Sequence, residues 1–152
     1  MTLHVNDAGS WRTISNVYVN DNGTWRLIQD IYVNDAGTWR LVYSALAVTA
    51  SDILGLDSGF ATSGTVDSTG QLANPVITGG TGPYTYSWAH VSTSSGNTPS
   101  IFSGTTANPV WSATVADAVN SISIWRVTVT DTSSGATATD DIQVELDWQD
   151  LT

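Results

Sequence analysis

The sequence predicts an all-β protein in which a short segment of β-hairpin repeats precedes a β-sandwich. Serine and threonine supply about a quarter of the 152 residues, glycine is plentiful, and helix-forming residues seldom follow one another. This composition is typical of short strands joined by tight turns. A regular repeat occupies the first 44 residues, and turn signals at the spacing of antiparallel strands occupy the second half of the chain.

The repeat has a period of 14 residues. Its three copies share the order Val-Asn-Asp-x-Gly-Ser/Thr-Trp-Arg, and they run from Val5 to Arg12, from Val19 to Arg26 and from Val33 to Arg40. A unit this small cannot bury a core alone and must stack on its copies. The repeat therefore points away from an enzyme and towards a part in an assembly.

One unit of the repeat reads as a β-hairpin. Residues 31–33 are β-branched or aromatic and favour a strand, and residues 38–42 form the returning strand. Asn34 and Asp35 favour a turn, and Gly37 tolerates a positive φ. We expect a type I turn closed by Gly37 in a bulge. Three such hairpins in series form a meander or a small pseudo-threefold unit.

Strand alternation sorts the side chains of each hairpin into two faces. Trp39 shares a face with Leu41, and Arg40 shares the other face with Val42. The predicted attachment residues therefore form a tryptophan row and an arginine row: Trp11, Trp25, Trp39, Arg12, Arg26 and Arg40. A thin sheet of about 44 residues is marginal alone, so we expect it to pack on other copies or on a larger partner.

Other interpretations of the repeat stay open. The tryptophan row is either core and interface filler or a platform on which carbohydrate stacks. Each arginine is expected to neutralise an aspartate of a neighbouring unit, and such a surface pair contributes little alone. The Asn-Asp-x-Gly sequence resembles part of a calcium loop, but the remaining ligands and the glutamate at the twelfth position are missing. We therefore expect no metal site.

A glycine-rich join separates the repeat from the rest of the chain. The predicted domains are residues 1–44, a linker with a first strand at 45–71, and a sandwich at 72–152. Residues 45–49 form that first strand, residues 51–70 are loop-rich with one short edge strand near 61–66, and three aspartates serve as solvating charges or caps: Asp52, Asp57 and Asp67.

The remaining sequence predicts an immunoglobulin-like sandwich of short antiparallel strands. A polar loop covers residues 92–98. The expected strands are 72–78, 84–91, 108–115, 122–130 and 136–146.

Two segments of this region resemble a known group of domains. They are Gly-Gly-Thr-Gly-Pro-Tyr-Thr-Tyr-Ser-Trp, from Gly79 to Trp88, and Trp-Arg-Val-Thr-Val-Thr-Asp, from Trp125 to Asp131. Together with the Ser-Gly-Ala-Thr-Ala-Thr strand that follows, they are similar to immunoglobulin-like and PKD-like domains of tailed-phage structural proteins. The front repeat is also similar to segments of phage virion proteins. The resemblance covers residues 72–148, about half the chain.

The resemblance implies roles for three core residues. Trp88 corresponds to the core tryptophan of the central strand, and Val127 stands where extracellular domains carry a cysteine. Trp125 takes the place of the tyrosine-corner residue, but an indole has no hydroxyl to donate that corner's hydrogen bond. The family implies no catalytic activity.

The composition and charge exclude several classes of function. A net charge of −10, with 14 acids, 4 arginines and no lysine, repels phosphate backbones and anionic lipid. Cysteine is absent, no apolar run approaches a bilayer span, and the first residues lack a signal peptide. We expect no nucleic acid, no membrane insertion and no cofactor.

No residue set predicts catalysis. The histidines are His4 and His90, and the one glutamate is Glu145. Asp140 and Asp141 are adjacent in a strand and point opposite ways, so they read as edge charges that discourage sheet association. We expect no enzyme and no catalytic residue.

The function expected is a structural component of a bacteriophage virion: a head decoration, a neck or head fibre, or a small tail or baseplate fibre. The repeats would attach to the particle and the sandwich would project outward. Expected partners are other virion proteins and further copies, as a homo-oligomer with a trimer favoured or as lattice-bound copies. Assembly would take place in the bacterial cytoplasm. The alternatives are a module that binds a receptor or a weak cell-surface glycan, with Trp111 as a fourth candidate for exposure, and a bacterial surface adhesin fragment.

Overall fold

The computed structural model describes residues 4–14 and 16–151, and for residues 41–43 it describes the backbone alone. Every regular element in these residues is a β-strand, so the predicted all-β fold class is confirmed. The strands are β1 (His4–Asp7), β2 (Ser10–Thr13), β3 (Tyr18–Asp21), β4 (Thr24–Leu27), β5 (Asp30–Asp35), β6 (Thr38–Ser44), β7 (Ala47–Thr49), β8 (Ile53–Gly59), β9 (Ser63–Asp67), β10 (Val76–Thr78), β11 (Tyr84–Ser95), β12 (Ser100–Phe102), β13 (Val110–Ala116), β14 (Ser121–Asp131) and β15 (Thr137–Asp150).

The repeat forms three separate antiparallel hairpins. β1 pairs with β2, β3 with β4 and β5 with β6, and each pair is a two-stranded sheet of its own. Backbone hydrogen bonds extend the last two hairpins, from Ile28 N to the Val17 carbonyl at 2.7 Å and from Ala45 N to the Gln29 carbonyl at 2.6 Å. Because no strand pairs with a strand of the next hairpin in the described residues, the continuous meander is not formed.

The chain divides into two compact units that interleave along the sequence. One unit comprises Met1–Val48, Ile77–Thr85 and Val129–Ala138, and therefore holds the hairpins. The other comprises Thr49–Val76, Tyr86–Thr128 and Thr139–Thr152. The domains 1–44, 45–71 and 72–152 stay a prediction from the sequence.

Two larger sheets build the second half of the fold. One has four strands in the order β11-β14-β15-β8, and the other has three in the order β12-β13-β9. β13 pairs antiparallel with both of its neighbours. β15 and β8 run parallel, from Val144 opposite Ile53 to Asp150 opposite Gly59. A short pair of β10 and β7 completes the strands.

Three tryptophans form the centre of the core between these sheets. Trp88 on β11 and Trp125 on β14 come from the four-stranded sheet, and Trp111 on β13 comes from the other. Their side chains are 7%, 5% and 0% exposed, respectively. The Trp111 ring centroid lies 5.2 Å from that of Trp88 and 6.1 Å from that of Trp125, in edge-to-face geometry. The two sheets therefore pack face to face as a β-sandwich.

Hydrogen bonds hold the indoles of Trp88 and Trp125 in place. The Trp88 Nε1–H donates to the Thr106 carbonyl at 3.0 Å, and the Trp125 Nε1–H donates to Ser123 Oγ at 3.0 Å. The acceptor of the Trp125 bond is a side-chain hydroxyl two residues earlier on the same strand, whereas a tyrosine corner bonds to the backbone. Val127, two residues further along β14, is fully buried.

Trp111 is buried in the core. The suggestion that it is exposed and contributes to a glycan-binding surface is therefore wrong. The Trp111 backbone N–H donates to the buried Ser68 hydroxyl at 3.0 Å, and its carbonyl accepts from the Ser68 N–H at 2.9 Å. Strand alternation indicates that Trp111 is buried, because Ala113 and Val115 continue the same inward face of β13.

Several strand predictions need correction. The segment 51–70 is not mainly loop, because it contains β8 and β9. Only residues 76–78 of the predicted strand 72–78 are strand, while β11 runs on to Ser95 through much of the predicted loop at 92–98. β12 was not predicted. These segments contain Gly, Ser and Asp, which are typical of loops, so their sequences do not indicate strands.

Asp140 and Asp141 lie on the part of β15 that precedes its pairing with β8, which runs from Val144 to Asp150, so their role as edge charges stays a prediction. Asp141 accepts two hydrogen bonds from the Arg126 guanidinium, at 2.6 and 2.7 Å. That arginine holds the pKa of Asp141 below its usual range. Asp140 Oδ2 accepts from the Ala50 N–H at 2.7 Å.

The two segments that carry the family resemblance meet at Asp131. Its buried carboxylate accepts from the Thr81 N–H at 2.8 Å, from the Ser133 N–H at 2.9 Å and from the Ser133 hydroxyl at 2.6 Å. Burial opposes ionisation, but these hydrogen bonds outweigh it and hold the pKa of Asp131 well below its usual range. A Cβ at Gly80 would lie 2.8 Å from this carboxylate, which explains the glycine there.

We expect Asp131→Asn to destabilise the protein by about 2–4 kcal/mol at neutral pH, because an amide nitrogen would face donors that now bind a carboxylate. A native pKa below the unfolded value of about 3.9 stabilises the fold above that pH, and this contribution is lost as the pH falls. The difference in free energy of unfolding between the unaltered protein and the variant should therefore narrow below about pH 4. Denaturant unfolding at a series of pH values measures this difference. Asp57→Asn, at an exposed carboxylate, is the control, and a pH-independent gap would contradict the account.

Candidate interaction surface

A two-residue turn closes each hairpin and positions its tryptophan. Ala36 and Gly37 have φ values of 49° and 89°, and the other two hairpins have the same pair of positive angles. Asp35 pairs directly with Thr38 across the turn. Two positive φ angles define a type I′ turn, whose twist matches that of paired strands. The expected type I turn with a bulge at Gly37 is therefore wrong.

The asparagine of each repeat fixes this turn. The Oδ1 atoms of Asn6, Asn20 and Asn34 accept hydrogen bonds from the N–H of the turn glycine at 3.0, 2.9 and 2.9 Å. These oxygens are thus occupied within the turn, which agrees with the expectation that the Asn-Asp-x-Gly sequence serves as a turn. In the described part of the chain, no group of three or more His, Cys, Asp or Glu side chains could hold a metal ion.

The strand register gives each hairpin an aromatic face. Trp25 lies opposite Asn20, and Tyr18 lies opposite Leu27 on the same side. The tryptophans of the other hairpins lie opposite the equivalent asparagines, and Tyr32 repeats the place of Tyr18. We call the residues on this side the tryptophan faces: Trp11, Trp25, Trp39, Tyr18, Tyr32 and Leu27. The predicted facing of Leu41 and Val42 lies outside the described side chains.

The tryptophan faces are exposed. Trp11, Trp25 and Trp39 are 72%, 68% and 69% exposed, and Tyr18 and Tyr32 are each 52% exposed. Every side chain in β1 to β4 is exposed, and in β5 only one is not. The described side chains of the hairpins therefore form no core of their own.

The arginines lie on the opposite side of each hairpin and are paired internally. Arg12 lies 3.3 Å from Asp7, Arg26 lies 3.4 Å from Asp21, and Arg40 lies 3.4 Å from Asp35. The expected pairing with a neighbouring unit is wrong, because the two-residue turn brings the aspartate diagonally across from the arginine of its own hairpin. All six side chains are more than half exposed, so each pair contributes little to stability.

Charge is distributed unevenly along the chain. Residues 1–44 hold three arginines and four aspartates, a net charge of −1, while residues 45–152 hold one arginine and ten acids, a net charge of −9. The hairpin segment is thus nearly neutral, and the sandwich carries almost the whole charge of the protein.

The sandwich offers few groups for catalysis. His90 Nε2 lies 2.8 Å from the Thr93 hydroxyl, and the ring packs against Trp125 with centroids 5.4 Å apart. Glu145 accepts from the Asn120 amide. A shallow groove of about 310 Å³ crosses the three-stranded sheet and is lined by neutral side chains, among them Thr65, Ser112 and Phe102.

The sequence interpretation missed two features of the surface. Tyr18 and Tyr32 precede the turn asparagine by two residues, and strand alternation alone places them beside the tryptophans. Trp148 lies over Gly59 and Gly64, where a Cβ would come within 2.7 and 2.1 Å of its ring. No helix among the described residues is long and apolar enough to cross a bilayer.

Comparison with known proteins gives one likeness of fold. No family model and no curated protein matches the sequence. Among solved structures, the chain is similar to the solution structure of the PKD domain of human KIAA0319, at 14% sequence identity and a TM-score of 0.43. The likeness covers 70% of this chain and 85% of that one.

We expect Ala36→Asn to stabilise the third hairpin, because alanine pays a steric cost of roughly 1–2 kcal/mol at positive φ that asparagine reduces. Amide exchange in β5 and β6 of the full chain should slow by a few-fold. Asn22→Ala is the matched reverse change and should accelerate exchange in β3 and β4. If neither variant alters exchange, the turn is not of type I′.

Proposed function

We propose that this protein is a non-catalytic structural component of a bacteriophage virion, attached to the particle through its N-terminal hairpins. One observation carries the attachment role: the hairpins fold with almost every described side chain exposed, including three tryptophans. Two-stranded hairpins are marginal in water, and exposed aromatic clusters of this size mark interaction sites. The hairpin segment therefore requires a partner.

The setting in a virion is supported by sequence resemblance in two separate segments. The repeat and the sandwich each resemble parts of tailed-phage structural proteins, and the absence of cysteine suits assembly in the bacterial cytoplasm. The partners proposed are virion proteins and copies of the chain itself. Head decoration, neck or head fibre, and small tail or baseplate fibre are the proposed positions, with the sandwich directed away from the particle.

A second candidate function is glycan binding by the tryptophan faces. Indole rings stack on the apolar faces of sugars, and the exposure of Trp11, Trp25 and Trp39 leaves their rings accessible. This candidate requires the rings to stay exposed in the assembled particle, whereas attachment requires them to be buried.

Purified phage particles from cells that carry this gene provide the test of the main proposal. We expect mass spectrometry to detect the chain in the particles, and deletion of residues 1–44 to abolish its incorporation while the sandwich still accumulates in the cell. Phe102→Ser, at an exposed aromatic residue of the sandwich, is the control and should be incorporated normally. Particles that lack the protein, or that retain the truncated chain, would refute the proposal.

A further inference from the structure

We infer that the tryptophan faces bind the tryptophan faces of further copies of this chain, so that the hairpin segment is a self-assembly module. This inference rests on the attachment role proposed above and names the partner of that surface. Three properties of the hairpins restrict the partner: the periodicity of the faces, their charge and their area.

The periodicity requires a partner with three equivalent sites. The three hairpins share the turn, the register, the position of the tryptophan and the internal ion pair. Each face therefore presents a tryptophan at the same place and at equal spacing along the chain, while the first hairpin has His4 and Thr13 where the second has Tyr18 and Leu27. A surface that contacts all three tryptophan faces must have three sites with the same spacing. The hairpin segment of a second copy meets this requirement, because it carries the same repeat.

The charge of the segment favours a neutral partner. Arg12, Arg26 and Arg40 are each neutralised by an aspartate of their own hairpin and lie on the side opposite the tryptophans. The segment carries a net charge of −1, so it selects neither a strongly acidic nor a strongly basic surface. When two such segments associate, the repulsion between their like charges is small. The net charge of −9 on residues 45–152, in contrast, makes the sandwiches of two copies repel each other.

The exposed area is sufficient for a specific interface. At exposures of 72%, 68% and 69%, the three indoles leave roughly 300–500 Å² per chain uncovered. Tyr18, Tyr32 and Leu27 raise the uncovered area of the faces to roughly 500–800 Å². A standard interface buries about 800 Å² per partner, so full contact between the faces of two copies approaches that size.

The repeat also determines how the copies align. A shift of one repeat leaves one hairpin of each copy without a partner and removes about a third of the contact. Alignment of equivalent hairpins is therefore favoured, and it leads to closed oligomers rather than open filaments.

Sedimentation equilibrium of the full chain tests the inference. We expect masses that are integer multiples of 16.1 kDa and a concentration-dependent oligomer. The triple variant W11S/W25S/W39S should weaken association by at least about 100-fold, since buried tryptophans are the commonest interface hot spots. The matched control Phe102→Ser removes an aromatic residue that is 59% exposed on the sandwich and should associate like the unaltered chain.

Salt dependence adds a second measurement. Because the arginines are paired within their own hairpins, association should not weaken with salt. It should strengthen towards about 1 M salt, where a Debye length of about 3 Å screens the repulsion between sandwiches. An unchanged unfolding midpoint of the sandwich would show that the triple variant still folds.

Two outcomes would overturn the inference: a full chain that stays monomeric up to about 1 mM, or a triple variant that associates as tightly as the unaltered chain. A monomer that still enters particles would leave the proposed function intact and make another virion surface the partner. An oligomer that is absent from particles would support self-assembly and refute the virion role.

Discussion

The structure depends on one constraint: a two-stranded hairpin cannot bury its own aromatic side chains. Each repeat has strands of only four residues or slightly more, so each side chain has neighbours on one surface and solvent above it. The turn, the asparagine that fixes it and the internal ion pair all act within one hairpin. They shape the tryptophan faces but do not cover them.

The same residue type has two uses in this chain. In the sandwich, Trp88, Trp111 and Trp125 meet edge-to-face between two sheets and are almost fully buried. In the hairpins, the tryptophans stand on single sheets with no second layer, and roughly 70% of each remains exposed. The buried set stabilises the folded domain, and the exposed set is available to stabilise an assembly.

Much of the fold follows from sequence patterns, and the failures have physical reasons. The 14-residue period and the Asn-Asp-x-Gly turns were enough to predict the hairpins. Alanine at the first turn position hid the type I′ geometry, because alanine rarely adopts positive φ. β8 was hidden because its glycines, serine and aspartate look like loop, and because its parallel partner β15 lies far along the chain.

The candidate site was predictable in its residues but not in its pairings. Alternation placed the tryptophans and arginines on opposite sides of each hairpin, as the register requires. The two-residue turn sets the register that brings each arginine beside the aspartate of its own hairpin. A bulged turn would have given a different register and a different partner. Whether a tryptophan is exposed depends on a second layer, and Trp111 shows that a sheet position alone does not decide it.

Hydrogen–deuterium exchange of the full chain, in dilute monomer and in the assembled state, tests the account most directly. We expect rapid exchange in β1 to β6 of the monomer, strong protection of those strands on assembly, and protection of the sandwich strands in both states. Equal and strong protection of the hairpin strands in the dilute monomer would contradict it, because the repeat would then be stable without a partner.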